Sequence, residues 1–173
     1  MAANFLYAIN QFFHNVLVVA FVGGSLYVVL LIRERRSGEG KDAADAGTEA
    51  FLLKQPRREF WILVALMTTG ANFGVLSLAL YGKLPDLTLI AWSALAGKIL
   101  LGLICLGILW RLWKRIVPEL ALLSQREGSG GRLNPSDQGR LATLPQRWER
   151  SWLTLLFLGW LILFCAAVLR YTS

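Results

Sequence analysis

Apolar residues in this chain come in four long blocks, without the half-polar patterning that a soluble domain shows. Residues 5–32, 60–81, 89–109 and 152–169 each reach or approach the roughly 20 residues with which a helix crosses the hydrocarbon of a bilayer. Strands of a closed membrane barrel would be about 10 residues long and alternate in polarity, which these blocks do not. The pattern predicts an all-α integral membrane protein, a single four-span domain in which each helix satisfies its own backbone hydrogen bonds. No Lys or Arg precedes the first block and no small-residue cleavage signal follows it, so this span is expected to stay in the mature protein. At 55% hydrophobic residues and a mean hydropathy of +0.52, the composition agrees with that class.

Charge then sets the expected orientation. Seven Lys and Arg residues lie in the connection 33–59 and eight in 110–151, against Lys83 alone in the turn 82–88. By the positive-inside rule the two basic loops are cytoplasmic, and both termini are expected on the outer, periplasmic side of a bacterial inner membrane. Trp61, Trp110, Trp113, Trp148 and Trp152 fall at the inner ends of the spans, with Tyr81, Trp92 and Tyr171 at the outer ends, as interfacial aromatic rings should. The net charge of +7 is therefore mostly an orientation signal, with some attraction to anionic membrane lipid, and no nucleic-acid role is expected. Segments 37–48 and 126–139 are rich in Gly, Asp and Ser or Pro and read as mobile connectors. Residues 116–125 carry Ile116, Leu120 and Leu123 at helical spacing and are expected to extend the third helix, with Pro118 kinking or restarting it.

Two residues stand out against this background. Lys98 is the one charge inside block 89–109, and His14, the sole histidine, lies in the outer part of the first block. An ammonium at that depth costs a few kcal/mol unless it faces protein, water or an anion. From a rise of about 1.5 Å per residue, Asn72 and Lys98 lie roughly 10–15 Å from the outer boundary. Thr68 and Thr69 are then a turn deeper, while Asn10, Gln11 and Asn15 continue a polar stripe on the first helix. These positions outline an outward-facing pocket built around His14, Lys98 and Asn72. Gly23, Gly24, Gly70, Gly74, Gly97, Gly102 and Gly107 mark helix faces open either to close packing or to a flat cofactor. Cys105 and Cys165 differ in expected depth by about 10 Å or more, beyond disulfide reach. With two methionines and no His-x-x-x-His or Cys-x-x-Cys, neither a zinc site nor a thioether copper site is indicated.

His14 followed by Phe21-Val22-Gly23-Gly24 resembles the first-helix pattern of the copper-resistance protein D family, with Phe in place of Trp. Leu84-Pro85-Asp86-Leu87-Thr88 and then Gly97-Lys98-Ile99-Leu100 are similar to that family's Leu-Pro turn and lysine-bearing helix. The His and Lys placement, with Arg147-Trp148 opening the last helix, also resembles the HemJ type of membrane protoporphyrinogen oxidase. HemJ-like proteins carry a second His shortly before the lysine, where this chain has Leu95, Ala96 and Gly97. The resemblance implies a b-type haem or porphyrin-binding redox subunit, with His14 as metal ligand and Lys98 pairing with a propionate. Asn72, Gly23 and Gly24 would complete the cofactor site. With one histidine, three outcomes are open: five-coordinate iron, a His14 from another copy in a homo-oligomer, or a ligand from a partner membrane subunit, and a ligand from outside this chain is the expected one. Two further readings stay open: a copper-handling membrane protein with His14 as ligand, and a cofactor-free accessory bundle of a larger membrane complex.

Overall fold

The computed structural model describes residues 2–37, 46–82, 87–128 and 134–172. Five helices, α1 (Ala2–Ser37), α2 (Ala46–Tyr81), α3 (Leu89–Arg111), α4 (Val117–Gly128) and α5 (Pro135–Thr172), account for nearly all of them. Residues 38–45 and 129–133 of the two connectors expected to be mobile, and the Leu84-Pro85-Asp86 portion of the turn between α2 and α3, lie outside the described residues, while 46–48, 126–128 and 135–139 of those connectors are helical.

Four stretches are long and apolar enough to cross a membrane: Phe5–Glu34, Ala50–Tyr81, Leu89–Leu123 and Thr143–Leu169. They pack as an up-down-up-down ring, α1 against α2, α2 against α3, α3 against α5 and α5 back against α1. The antiparallel sense is visible in the pairs: Tyr7 meets Phe73 near one end of α1 and α2, and Tyr27 meets Phe51 near the other. The core runs along the axis as Phe21, Val28, Leu63, Leu66, Cys105, Leu109, Trp152 and Leu155. Outward the helices present Phe12, Val19 (72% exposed), Val75, Leu100, Phe157 and Phe164. A water-soluble monomer would not leave apolar side chains bare along every face, whereas lipid covers them at no cost. The chain is a multi-pass membrane bundle.

The helices run further on the basic side than the apolar blocks predict. Residues 46–59 continue α2 through Pro56, and 135–151 continue α5 through Pro145. Charged residues there end the hydrophobic run without ending the helix, because Arg, Lys, Glu and Gln are good helix formers. Helix α3 ends in one turn of π-helix, Leu112–Ile116, in which the Val117 N–H reaches the Leu112 carbonyl five residues back. Pro118 follows directly. Its missing N–H and the clash of its ring with the preceding turn displace the helical register, and α4 restarts beyond it.

Glycines sit where helices approach. A Cβ on Gly102 would touch Met67 (3.4 Å to Sδ), one on Gly97 would touch Cys165 (3.7 Å to Sγ), and one on Gly159 would touch Phe21 and Val22. Gly23, Gly74 and Gly107 face open space. Both cysteines are free thiols.

Candidate functional site

His14 and Lys98 meet inside the bundle. His14, only 7% exposed, projects from α1 toward α2 and α3, and its ring nitrogens are used on both sides. The Thr69 hydroxyl donates its one proton to the Leu66 carbonyl (2.9 Å), so its oxygen accepts from His14 Nδ1–H, also at 2.9 Å. That assigns the tautomer: Nδ1 carries the proton, and Nε2 keeps its lone pair. The Lys98 ammonium lies 3.4 Å from Nε2 and donates to it. Residues 84 positions apart are thus joined across α1 and α3, with Thr69 on α2 fixing the ring between them.

The surroundings hold that ring in place. Phe73 meets the imidazole edge-on, with centroids 5.6 Å apart. Gly70 of α2 lies beside the ring, where an added Cβ would be in ordinary contact with His14 Cε1 at 3.5 Å. Asn10 Nδ2 donates to the Thr69 carbonyl (3.1 Å) and Tyr7 to the Phe73 carbonyl (3.4 Å), continuing the polar seam toward the N-terminus of α1. Next to Lys98, Cys165 of α5 covers Gly97.

The sequence-derived pocket is only partly assembled. Asn72 has the expected height but is exposed and stands apart from the polar seam, because it lies about 110° around α2 from the Thr69–Gly70 face. Gly23 and Gly24 follow His14 by nine and ten positions, which is about 15 Å along α1, and so do not flank its ring. Gly23 is exposed, and Gly24 is occupied with another contact. Met67 packs against Gly102 of α3.

Known protein families, curated proteins and solved structures offer no match to this chain. Its chemistry has to be read from its own residues.

A second buried polar layer lies toward the basic end, and composition alone did not single it out. Glu59 on α2 is fully buried, and its Oε1 accepts from Gln55 Nε2 one turn earlier (2.9 Å). A Cβ on Gly24 would overlap the Glu59 carboxylate and lie 3.3 Å from Gln55 Nε2, so this glycine is what admits the acid. Glu59 Oε2, Gln55 Oε1, Ser25 Oγ and Trp152 Nε1 are buried without a hydrogen-bond partner. The legible signal was a Gln-x-x-x-Glu step directly ahead of an apolar run, opposite a glycine on the neighbouring helix.

The cations at this level are held elsewhere. Arg57 lies over the Trp113 ring (5.7 Å), Arg58 over Phe51 (5.9 Å), and Lys114 over Trp113 and Trp110 (4.2 and 5.4 Å). Phe60 packs on both of these tryptophans and closes the α2–α3 seam. Between α3 and α5 at the same end, Ile108, Arg111, Leu112, Ile116, Arg150, Ser151 and Thr154 line an open cleft beside the π-turn.

Proposed function

We propose that this protein is a membrane-embedded b-type haem or porphyrin-binding redox subunit, anchored at His14 and Lys98. The observation that carries the reading is the Lys98–His14 contact: a cation and an imidazole, each costly at this depth, converge from separate helices. The orientation proposed with it puts both termini on the periplasmic side of a bacterial inner membrane, with the basic helix extensions in the cytoplasm.

The donor types fit a carboxylated macrocycle. His14 Nε2 is the nitrogen left for a metal, because Nδ1–H is committed to Thr69. Its lone pair is engaged by Lys98, so metal ligation and the Lys98 hydrogen bond exclude each other. A propionate would give the ammonium another partner and free the imidazole. Within this scheme Thr69 holds the tautomer, Phe73 restrains the ring, and Lys98 carries the anionic edge. Bound haem would supply one-electron transfer at that site. His14 is the sole histidine of the chain, so a second histidine to hold the iron would have to come from another copy or from a partner subunit. The same donor count weighs against a copper site built by this chain alone.

A cofactor-free accessory bundle is the second reading. It is favoured by one observation: both imidazole nitrogens are already satisfied by the protein's own side chains.

The deciding experiment is the visible spectrum and metal content of the purified membrane protein, oxidised and reduced, beside His14→Ala. A Soret band with sharp reduced-state bands that vanishes in His14→Ala, with helical content intact, is the expected result. A colourless, metal-free wild type would turn the assignment to the accessory reading, and haem unchanged in the variant would end His14's role as its ligand.

A further inference from the structure

Independently of the His14 site, we propose that Glu59, Gln55 and Ser25 form a binding site for a single small monovalent cation of the sodium class. Three oxygens carry the argument: Glu59 Oε2, Gln55 Oε1 and Ser25 Oγ, on residues 0%, 5% and 1% exposed, all without a partner. Unpaired polar atoms are rare in packed interiors, and several in one layer point to a missing occupant. Gly24 contacts Glu59 and Gln55, and Ser25 is the next residue of α1, which ties the three to one level of the bundle.

The local bonding leaves those oxygens available. Gln55 spends its amide N–H on Glu59 Oε1, which orients its carbonyl oxygen and the second carboxylate oxygen as free acceptors. Neither oxygen is hydrogen-bonded to the Ser25 hydroxyl, so all three remain available to a ligand at this level.

Charge selects that body. A buried carboxyl is neutralised by its own proton or by a cation that displaces it, and no basic residue among those described forms an ion pair with Glu59. Arg57, Arg58 and Lys114 rest on aromatic faces, Arg111 and Arg150 line the α3–α5 cleft, and of these the charge of Arg58, next to Glu59 in the chain, is the one felt by its carboxylate, without an ion-pair contact. One carboxylate balances one monovalent charge, whereas a divalent ion would leave an uncompensated positive charge in an apolar layer. Hard oxygen donors suit an alkali ion, with water filling the remaining positions. Such a water would also give the Trp152 N–H an acceptor: Phe60 packs on Trp110, and Arg111 and Ser151, the residues that follow Trp110 and precede Trp152, line the same α3–α5 cleft, which puts Trp152 close to the level of Glu59. Sodium and lithium are preferred over potassium because the layer is otherwise filled by side chains with almost no exposure, Val28, Leu63, Leu109 and Leu155.

The test uses purified full-length protein and dicyclohexylcarbodiimide, which modifies a protonated carboxyl in an apolar setting and is blocked where a cation holds the carboxylate. Glu59 modification is followed by peptide mass spectrometry in choline, potassium, lithium and sodium chloride at matched ionic strength. Sodium and lithium should slow labelling at least about tenfold relative to choline. Ser25→Ala should raise the sodium concentration for half-protection by about tenfold, the factor carried by one polar interaction with a charged group. Glu59→Gln should abolish the label, and if that variant fails to fold, the wild-type and Ser25→Ala series decide alone. Equal rates in all four salts would mean a site for a proton or water only and overturn the proposal. So would absence of label on Glu59 in choline, or unchanged sodium protection in Ser25→Ala.

Discussion

Lys98→Met separates a lysine that holds something from one that merely resides in the membrane. The substitution keeps the length of an unbranched stem and deletes the ammonium. On the insertion scale a lysine at a helix centre costs about 2.5–3.5 kcal/mol, whereas an apolar side chain costs little. What the substitution removes from the bundle is a long hydrogen bond of 3.4 Å to a neutral imidazole. Interhelical hydrogen bonds in membranes average about 0.6 kcal/mol and reach about 1.7. The difference leaves the variant more stable by about 1–3 kcal/mol in the absence of ligand. Protein unfolded by stepwise addition of a denaturing detergent to mixed micelles, followed by tryptophan fluorescence and helical content, gives that number. Titration with haemin or protoporphyrin, followed by absorbance, gives the second. The expected pair of results is a bundle stabilised by that amount with porphyrin affinity reduced by at least about tenfold, the factor carried by one charge-assisted hydrogen bond. A variant that binds porphyrin as wild type does would refute the role given to Lys98. Destabilisation by more than about 1 kcal/mol would refute the assumption that its charge is under-compensated in the ligand-free protein.

Two further predictions follow from the same geometry. Thr69→Val is nearly isosteric and removes the acceptor of His14 Nδ1–H, so it should cost about 1 kcal/mol of stability. It should also mix the two neutral tautomers, which the 15N shifts of a histidine-labelled sample report; a ring still held in one tautomer would show that Thr69 does not set it. For the proposed orientation, a cysteine placed at Ser129 should resist a membrane-impermeant thiol reagent in intact cells while one at Asp86 reacts, and ready labelling at position 129 would invert the topology.

The spans were legible because lipid imposes a simple rule: a helix crossing it must be apolar throughout, and four blocks satisfy that. Their continuation beyond the membrane was not, since helix propensity among charged residues leaves no hydrophobic pattern once the lipid boundary is passed. The same distinction explains the site. Counting residues gives approximate depth, so His14, Asn72 and Lys98 were expected in one half of the bundle with Thr69 a turn deeper, and the structure joins His14 to Thr69 and Lys98. Counting says less about which way an inward-facing residue points when all faces of a span are apolar. Asn72 is therefore right in height and wrong in azimuth. Glu59 was hidden for a related reason: it ends the charged run 54–59, so it reads as loop, and only the continuation of α2 through Pro56 carries it into the bundle.

The two polar layers sit on the same pair of helices, and what separates them constrains what they can do together. Thr69 and Glu59 are ten residues apart on α2, about 15 Å along the axis. Phe21, Leu63, Leu66 and Cys105 fill the space between, all nearly inaccessible. Met67 seals the α2–α3 seam against Gly102, and Phe21 seals the α1–α5 seam against Gly159. No polar side chain bridges this plug among the described residues, so a proton or a cation has no hydrogen-bonded route through them from one layer to the other. A single conduction path through the bundle is thus a poor description of it. The arrangement suits two insulated layers, one in which an ammonium meets an imidazole and one, toward the basic helix extensions, with buried unpaired oxygens. Chemistry at either can then be altered without entry of water at the other, because the apolar layer that would have to open is also the centre of the core that holds the helices together.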